Sequence, residues 1–173
     1  AGKMAYLQFD GIYMVAEVWI NGQRVGNHVN GYTSFWFDIT PFLLPAGQDN
    51  VVAVQVKNEG VNCRWYSGSG IYRHTWLTLV SPLHIEPWGL SVTTPVASSQ
   101  HALVSIKANI RNAEGSDAAF TCVFKVLDPD GSEVGQATMD FSLQPGSEAV
   151  LGQTIGIDQP VLWNLDDPQR YQA

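Results

Sequence analysis

With 173 residues, 45% of them hydrophobic and only 14% charged, the chain can fill one large core or two small ones, which excludes a disordered polypeptide. A formal net charge of −7, with nine scattered lysines and arginines, argues against nucleic acid or an anionic membrane surface as a partner. No apolar run approaches the roughly 20 residues of a membrane span, and residues 1–5 hold no apolar signal-peptide core, so the compartment stays open.

The first half reads as short strands separated by strong turns. Leu7 and Phe9 alternate with polar neighbours, as in a half-buried strand. Asn21-Gly22, flanked by Val18-Trp19-Ile20 and Arg24-Val25, predicts a hairpin, because both central residues of a type I′ turn need positive φ. A strand rich in aromatics covers residues 34–39. Thr40-Pro41 then predicts a helical turn over Phe42 to Leu44, with Thr40 as N-cap and Pro41 at the first helical position. Residues 51–56 form a further strand, and a long loop over 58–71 leads into a return strand over 72–80. Trp19, Trp36 and Trp76 lie in these strands and are expected to fill a core.

Residues 81–95 read as a strand and linker punctuated by Pro82, Pro87 and Pro95, which places a domain boundary near Thr94. Beyond it, Ala102, Val104, Ile106, Ala108 and Ile110 keep a two-residue period, and Phe120, Cys122, Phe124 and Val126 repeat it. Asp128-Pro129-Asp130-Gly131 is a turn, with strands expected over 137–143 and 148–155. The pattern is all-β: two sandwich domains, 1–94 and 95–173, with no long amphipathic helix and no internal repeat.

Specific motifs sharpen this reading. Tyr6-Leu7-Gln8-Phe9-Asp10-Gly11, Val18 to Gly26 and Gly31 to Thr40 are followed by Arg64-Trp65-Tyr66-Ser67-Gly68-Ser69-Gly70-Ile71-Tyr72-Arg73. In this order they resemble the N-terminal sugar-binding domain of glycoside hydrolase family 2, and most of all its β-galactosidase branch. The resemblance implies a partial jelly roll over 1–94, lacking the family's further N-terminal strands, and an immunoglobulin-like β-sandwich over 95–173. The Cys–Trp–Cys pattern of antibody domains is missing, so immunoglobulin-like describes architecture only. Val161 to Pro168 resembles the segment that closes the family's second domain just before its catalytic barrel.

Glycoside hydrolysis needs two carboxyl groups flanking the bond. The resemblance puts them on a (β/α)₈ barrel, which takes about 250 residues by itself. Glu17, Glu59, Glu86, Glu114, Glu133 and Glu148 read instead as solvated surface carboxylates. No catalytic residue is therefore expected here, and the chain alone should be inactive. No cofactor or metal is expected either, since His28, His74, His84 and His101 lack ligand spacing and Cys63 and Cys122 cannot make a zinc site alone.

For sugar contact, the resemblance points to Arg64 through charge-assisted hydrogen bonds, with Asn62 and Trp65 for hydroxyl bonding and stacking. The loop is equally suited to a structural role, with Arg64 in a salt bridge. Arg73 is expected to pair with Asp38 or Asp10, and Trp163 either packs in the sandwich or anchors a neighbouring barrel. The expected partners are that barrel, carbohydrate bound weakly at most, and further copies joined through an open sheet edge. A free-standing carbohydrate-binding module and a purely structural or adhesive two-sandwich protein remain as alternatives.

Overall fold

The computed structural model describes residues 2–60 and 67–173, and it is all β apart from turns. The chain divides into two compact units, Ala1–Ser81 and Pro82–Ala173. The first holds β1 (Met4–Phe9), β2 (Ile12–Tyr13), β3 (Val15–Ile20), β4 (Gln23–His28), β5 (Phe35–Asp38), β6 (Val52–Lys57), β7 (Gly70–Ile71) and β8 (Thr75–Val80). They pair as two antiparallel three-stranded sheets, β5-β1-β8 and β4-β3-β6, and a short ribbon, β2-β7.

Two-residue periodicity builds this sandwich. Ala5, Leu7 and Phe9 of β1 and Ala16, Val18 and Ile20 of β3 share one core with Ile12, Phe35 and Ile39. Each fully buried Phe or Ile contributes about 1.5–3 kcal/mol. Between β3 and β4, Asn21 (φ 53°) and Gly22 (φ 80°) take the double positive φ of the expected hairpin turn.

Two local expectations fail here. The turn after β5 is a 3₁₀ turn over Thr40–Phe42 whose cap is Ile39, with no side-chain cap bond. The Thr40 hydroxyl is instead spent on β1, accepting from the Ala5 N–H at 2.9 Å. The three tryptophans also stay out of the core. Trp36 and Trp76 both pair with Gln8, and so share its outward parity opposite Leu7 and Phe9; Trp76 is 50% exposed.

The second unit holds β9 (Leu83–Ala97), β10 (His101–Asn112), β11 (Ala118–Leu127), β12 (Glu133–Leu143) and β13 (Glu148–Asp158). They form the sheets β13-β10-β9 and β11-β12, all antiparallel. Every second residue of β10 from Ala102 to Asn112 is buried, as the sequence period requires. Those from Ala102 to Ile110 make the second core with Phe124, Val126, Leu143, Leu151, Ile155 and Ile157. The turn after β11 is closed by the Asp128 carboxylate, which accepts from the N–H groups of Asp130 and Ser132, with Gly131 at φ 86°.

The division between units falls at Ser81/Pro82, not near Thr94. Residue 94 lies inside β9, which runs unbroken past two prolines because each sits in a β-bulge. Pro95 falls at the register shift opposite Leu103/Ser105, and Pro87 at the one opposite Ala108/Ile110. The second bulge also overturns one surface carboxylate. Glu86 is only 8% exposed, with Arg111 at 3.4 Å and the buried His84 at 3.9 Å. Trp163 is 58% exposed, so it does not pack in the core of this unit.

Candidate functional site

One end of the first sandwich gathers the aromatic and polar groups suited to ligand contact. The β2-β7 ribbon pairs Tyr13 with Gly70 and Ile12 with Ile71, fixing the return of the long loop beside the β1–β3 connection. Two glycines make room for tyrosines at this end. A Cβ on Gly31 would lie 2.4 Å from the Tyr13 ring, and one on Gly11 would lie 2.8 Å from the Tyr72 ring. Tyr13 is buried and meets Tyr32 edge to face at 5.5 Å. The Tyr72 hydroxyl donates to the Gly31 carbonyl at 2.7 Å. Tyr32 and Tyr72 keep about half their surface in solvent, at 52% and 48%.

Arg73 does not form the expected ion pair. Its guanidinium lies over the Tyr72 ring, 5.2 Å from the centroid, and reaches the Tyr32 carbonyl at 3.5 Å. Asp38 is engaged elsewhere, accepting from the Thr40 N–H at 2.9 Å. Asp10 accepts from the Trp76 indole N–H at 2.8 Å and from the Gln8 amide at 2.7 Å. These bonds, the Trp76 one foremost, hold its carboxyl below the usual carboxylate range, aided by His74 and Arg73. An ionised, acceptor-saturated carboxylate is the opposite of a general acid, which needs a raised pKa.

The sign of this shift gives a test. With its folded pKa depressed, Asp10 contributes stability above its unfolded pKa, and that contribution is lost as pH falls through the lower folded value. Trp76→Phe removes the strongest donor, so the Asp10 carboxyl should titrate nearer an ordinary aspartate. An NMR titration of the side-chain carboxyl carbon checks this, and an unchanged midpoint would contradict the assignment.

The three residues singled out for sugar contact, Asn62, Arg64 and Trp65, lie outside the described residues, as does Cys63. The structure does place both roots of their loop, through Gly60 and from Ser67 onward. Sequence reading missed Tyr13 and Tyr32. The available signal was a tyrosine two residues after Gly11 and another next to Gly31. Among the described residues, no group of three or more His, Cys, Asp or Glu side chains is arranged to hold a metal. Nor is any helix among the described residues long and apolar enough to cross a membrane.

The second unit has a separate apolar crevice of about 470 Å³ beneath its C-terminal segment, lined by Val92, Val104, Ile157, Leu162, Trp163 and Tyr171. The segment is held by the Leu127–Gln172 bridge and by the Val161 N–H donating to the Tyr171 hydroxyl at 3.0 Å. The Cys122 thiol in this unit is half-buried, and burial pushes its pKa up, which favours the thiol over the thiolate.

Comparison with known proteins separates the same two units. Residues 2–81 match the model for the glycosyl hydrolases family 2 sugar binding domain, and residues 83–173 match the model for glycosyl hydrolases family 2. The β-galactosidase BoGH2A of Bacteroides ovatus is 38% identical over 172 residues, covering 99% of this chain and 20% of that protein. A family 2 glycosyl hydrolase structure from Bacteroides cellulosilyticus superposes with a TM-score of 0.92 at 42% identity, over 98% of this chain and 23% of the other. A β-glucuronidase structure from Bacteroides uniformis gives a TM-score of 0.90 at 30% identity, over 98% and 22%. The chain thus spans about a fifth of the length of these relatives.

Proposed function

Because the chain belongs to glycosyl hydrolases family 2, we propose that it is the non-catalytic part of a β-galactosidase-like enzyme that hydrolyses terminal β-glycosidic bonds. The chemistry would be retaining, through a glycosyl-enzyme intermediate formed on a barrel outside this chain. The first unit shapes one wall of the substrate pocket. The second braces the barrel, with Trp163 and Leu165, 58% and 86% exposed, as its apolar contacts.

The observation that carries this reading is the Tyr13–Gly70 pairing. It sets the root of the Arg64 loop beside a half-exposed aromatic end, where stacking faces and hydrogen-bonding groups suited to a sugar converge. Arg64 supplies the charge-assisted contact, with Asn62 and Trp65 for hydroxyl bonding and stacking. In a polypeptide that joins this chain to the barrel, Arg64→Ala should raise KM about tenfold with little change in kcat, the loss of one hydrogen bond to a charged donor. Unchanged KM would leave the loop a structural role only. Micromolar binding of galactose by the isolated chain, measured by calorimetry, would favour a free-standing binding module. Half a pocket should bind too weakly to measure.

Self-association through the open flank of the first unit completes the proposal.

A further inference from the structure

Two asparagines of the first unit precede a glycine, in Asn21-Gly22 and Asn30-Gly31, and the fold treats them oppositely. Glycine has no Cβ to keep its backbone nitrogen away from the preceding side chain, so such pairs can cyclise. At Asn21 both side-chain polar atoms are held elsewhere. Its amide donates to the Phe42 carbonyl at 2.9 Å and to Asn50 Oδ1 at 2.8 Å. Its oxygen accepts from the Val51 N–H at 2.9 Å. These bonds hold the carboxamide against the β5–β6 connection and away from its own backbone.

Asn30, exposed between β4 and β5, is held in the reverse sense. Its oxygen accepts from the Tyr32 N–H at 2.9 Å, an Asx-turn that folds the carboxamide carbon over the Gly31 peptide. Among the described residues, no acceptor takes its amide nitrogen and no carbonyl takes the Gly31 N–H. The Arg73 guanidinium reaches the Tyr32 carbonyl, two residues on, at 3.5 Å.

We propose that Asn30-Gly31 is a self-modification site, where the chain loses ammonia and gains a carboxylate. The Gly31 nitrogen gives its proton to solvent base and attacks the Asn30 Cγ. A C–N bond forms, the Cγ–Nδ2 bond breaks, and Nδ2 takes a proton from water and leaves as ammonia. Water then opens the five-membered imide at either carbonyl, leaving aspartate or isoaspartate at position 30. While Cγ is tetrahedral its oxygen is anionic, and the Tyr32 N–H already points at that oxygen. Arg73 adds a positive field, and the turn keeps nucleophile and carbon together. The change reaches the aromatic end. Isoaspartate inserts one carbon into the main chain just before Gly31, whose carbonyl accepts from Tyr72 and whose missing Cβ admits Tyr13.

Tryptic cleavage at Arg24 puts the two pairs in separate peptides, so one peptide map reads both. The 173-residue chain is aged at mildly alkaline pH, folded and in concentrated urea. Mass spectrometry, with fragmentation that separates aspartate from isoaspartate, follows each site. In the folded chain Asn30 should convert at least about tenfold faster than Asn21, whose three hydrogen bonds must first break. In urea the two rates should converge. Equal rates in the folded chain, a tenfold difference that persists in urea, or an Asn30 left intact while the unfolded chain converts would each overturn the proposal. Asn30→Gln, whose longer side chain closes this ring poorly, should keep its near-ultraviolet circular dichroism on ageing while the wild-type tyrosine signal drifts. An equal drift in both would overturn the link to the aromatic end.

Discussion

Asn112→Asp should destabilise the second unit by about 3–5 kcal/mol at neutral pH, a large part of a small domain's total stability. Asn112 is fully buried at the end of β10. Its amide nitrogen donates to the carbonyls of Ser116 (2.9 Å), Leu143 (3.0 Å) and Gln144 (3.2 Å). Its oxygen accepts from the Glu114 N–H at 2.9 Å. One side chain thus ties the end of β10 to the following turn and to the end of β12. Aspartate keeps the shape but sets a carboxylate oxygen against three carbonyl oxygens and removes the donor they share, although the Gln144 carbonyl still accepts from the Ser147 N–H at 3.2 Å.

Burial and those carbonyls would raise the folded-state pKa of the new carboxyl above its unfolded value of about 3.9. The penalty is then smallest below the unfolded pKa, where the group is protonated in both states. It grows as pH rises and the folded protein resists ionisation. Urea unfolding at two pH values checks this: the midpoint should fall far more at pH 7 than at pH 4. An equal midpoint shift at both pH values would contradict it.

What was legible in the sequence was local. The Asn21-Gly22 hairpin follows from φ alone, and no distant contact has to be known. The β10 period follows from pleating, because one face of that strand is buried along its whole length. Long-range pairing decided the rest. The stretch Glu86-Pro87-Trp88-Gly89 looks like a surface turn, but β10 pairs on both sides of it and turns it into a bulge. Gly89 is needed there, since a Cβ would meet the Glu86 carbonyl oxygen at 2.7 Å. Glu86 is buried because Arg111 and His84 are brought to it, and that pairing leaves no mark within either segment.

Tryptophan hydrophobicity likewise pointed the wrong way. Parity relative to Leu7 and Phe9 sets the outward direction of Trp36 and Trp76, and an acceptor for the indole N–H, Asp10, waits on that face for Trp76. The aromatic end joins residues 13, 32 and 72, from three separate segments. Only the ribbon pairing and two small glycines reveal that they converge.

Gly31→Ala tests that convergence, with an expected cost of about 2–3 kcal/mol to the first unit. Its φ is not in the left-handed region, so the penalty is purely steric. The new Cβ would lie 2.4 and 2.9 Å from two Tyr13 ring carbons and 3.2 Å from a third. Tyr13 cannot retreat easily, because it is 6% exposed and Tyr32 already lies against it. Displacing residue 31 also moves the carbonyl that accepts the Tyr72 hydroxyl, which frees a ring that only Gly11 lets seat so closely. Gly115→Ala is the control: its Cβ would meet nothing within 4 Å, so its effect should stay within about 0.5 kcal/mol. The near-ultraviolet circular dichroism of the tyrosines should change in Gly31→Ala and not in Gly115→Ala. If the two variants unfold at the same denaturant concentration with the same aromatic spectrum, the three tyrosines do not act as one packed end, and the loop that carries Arg64 has lost its platform.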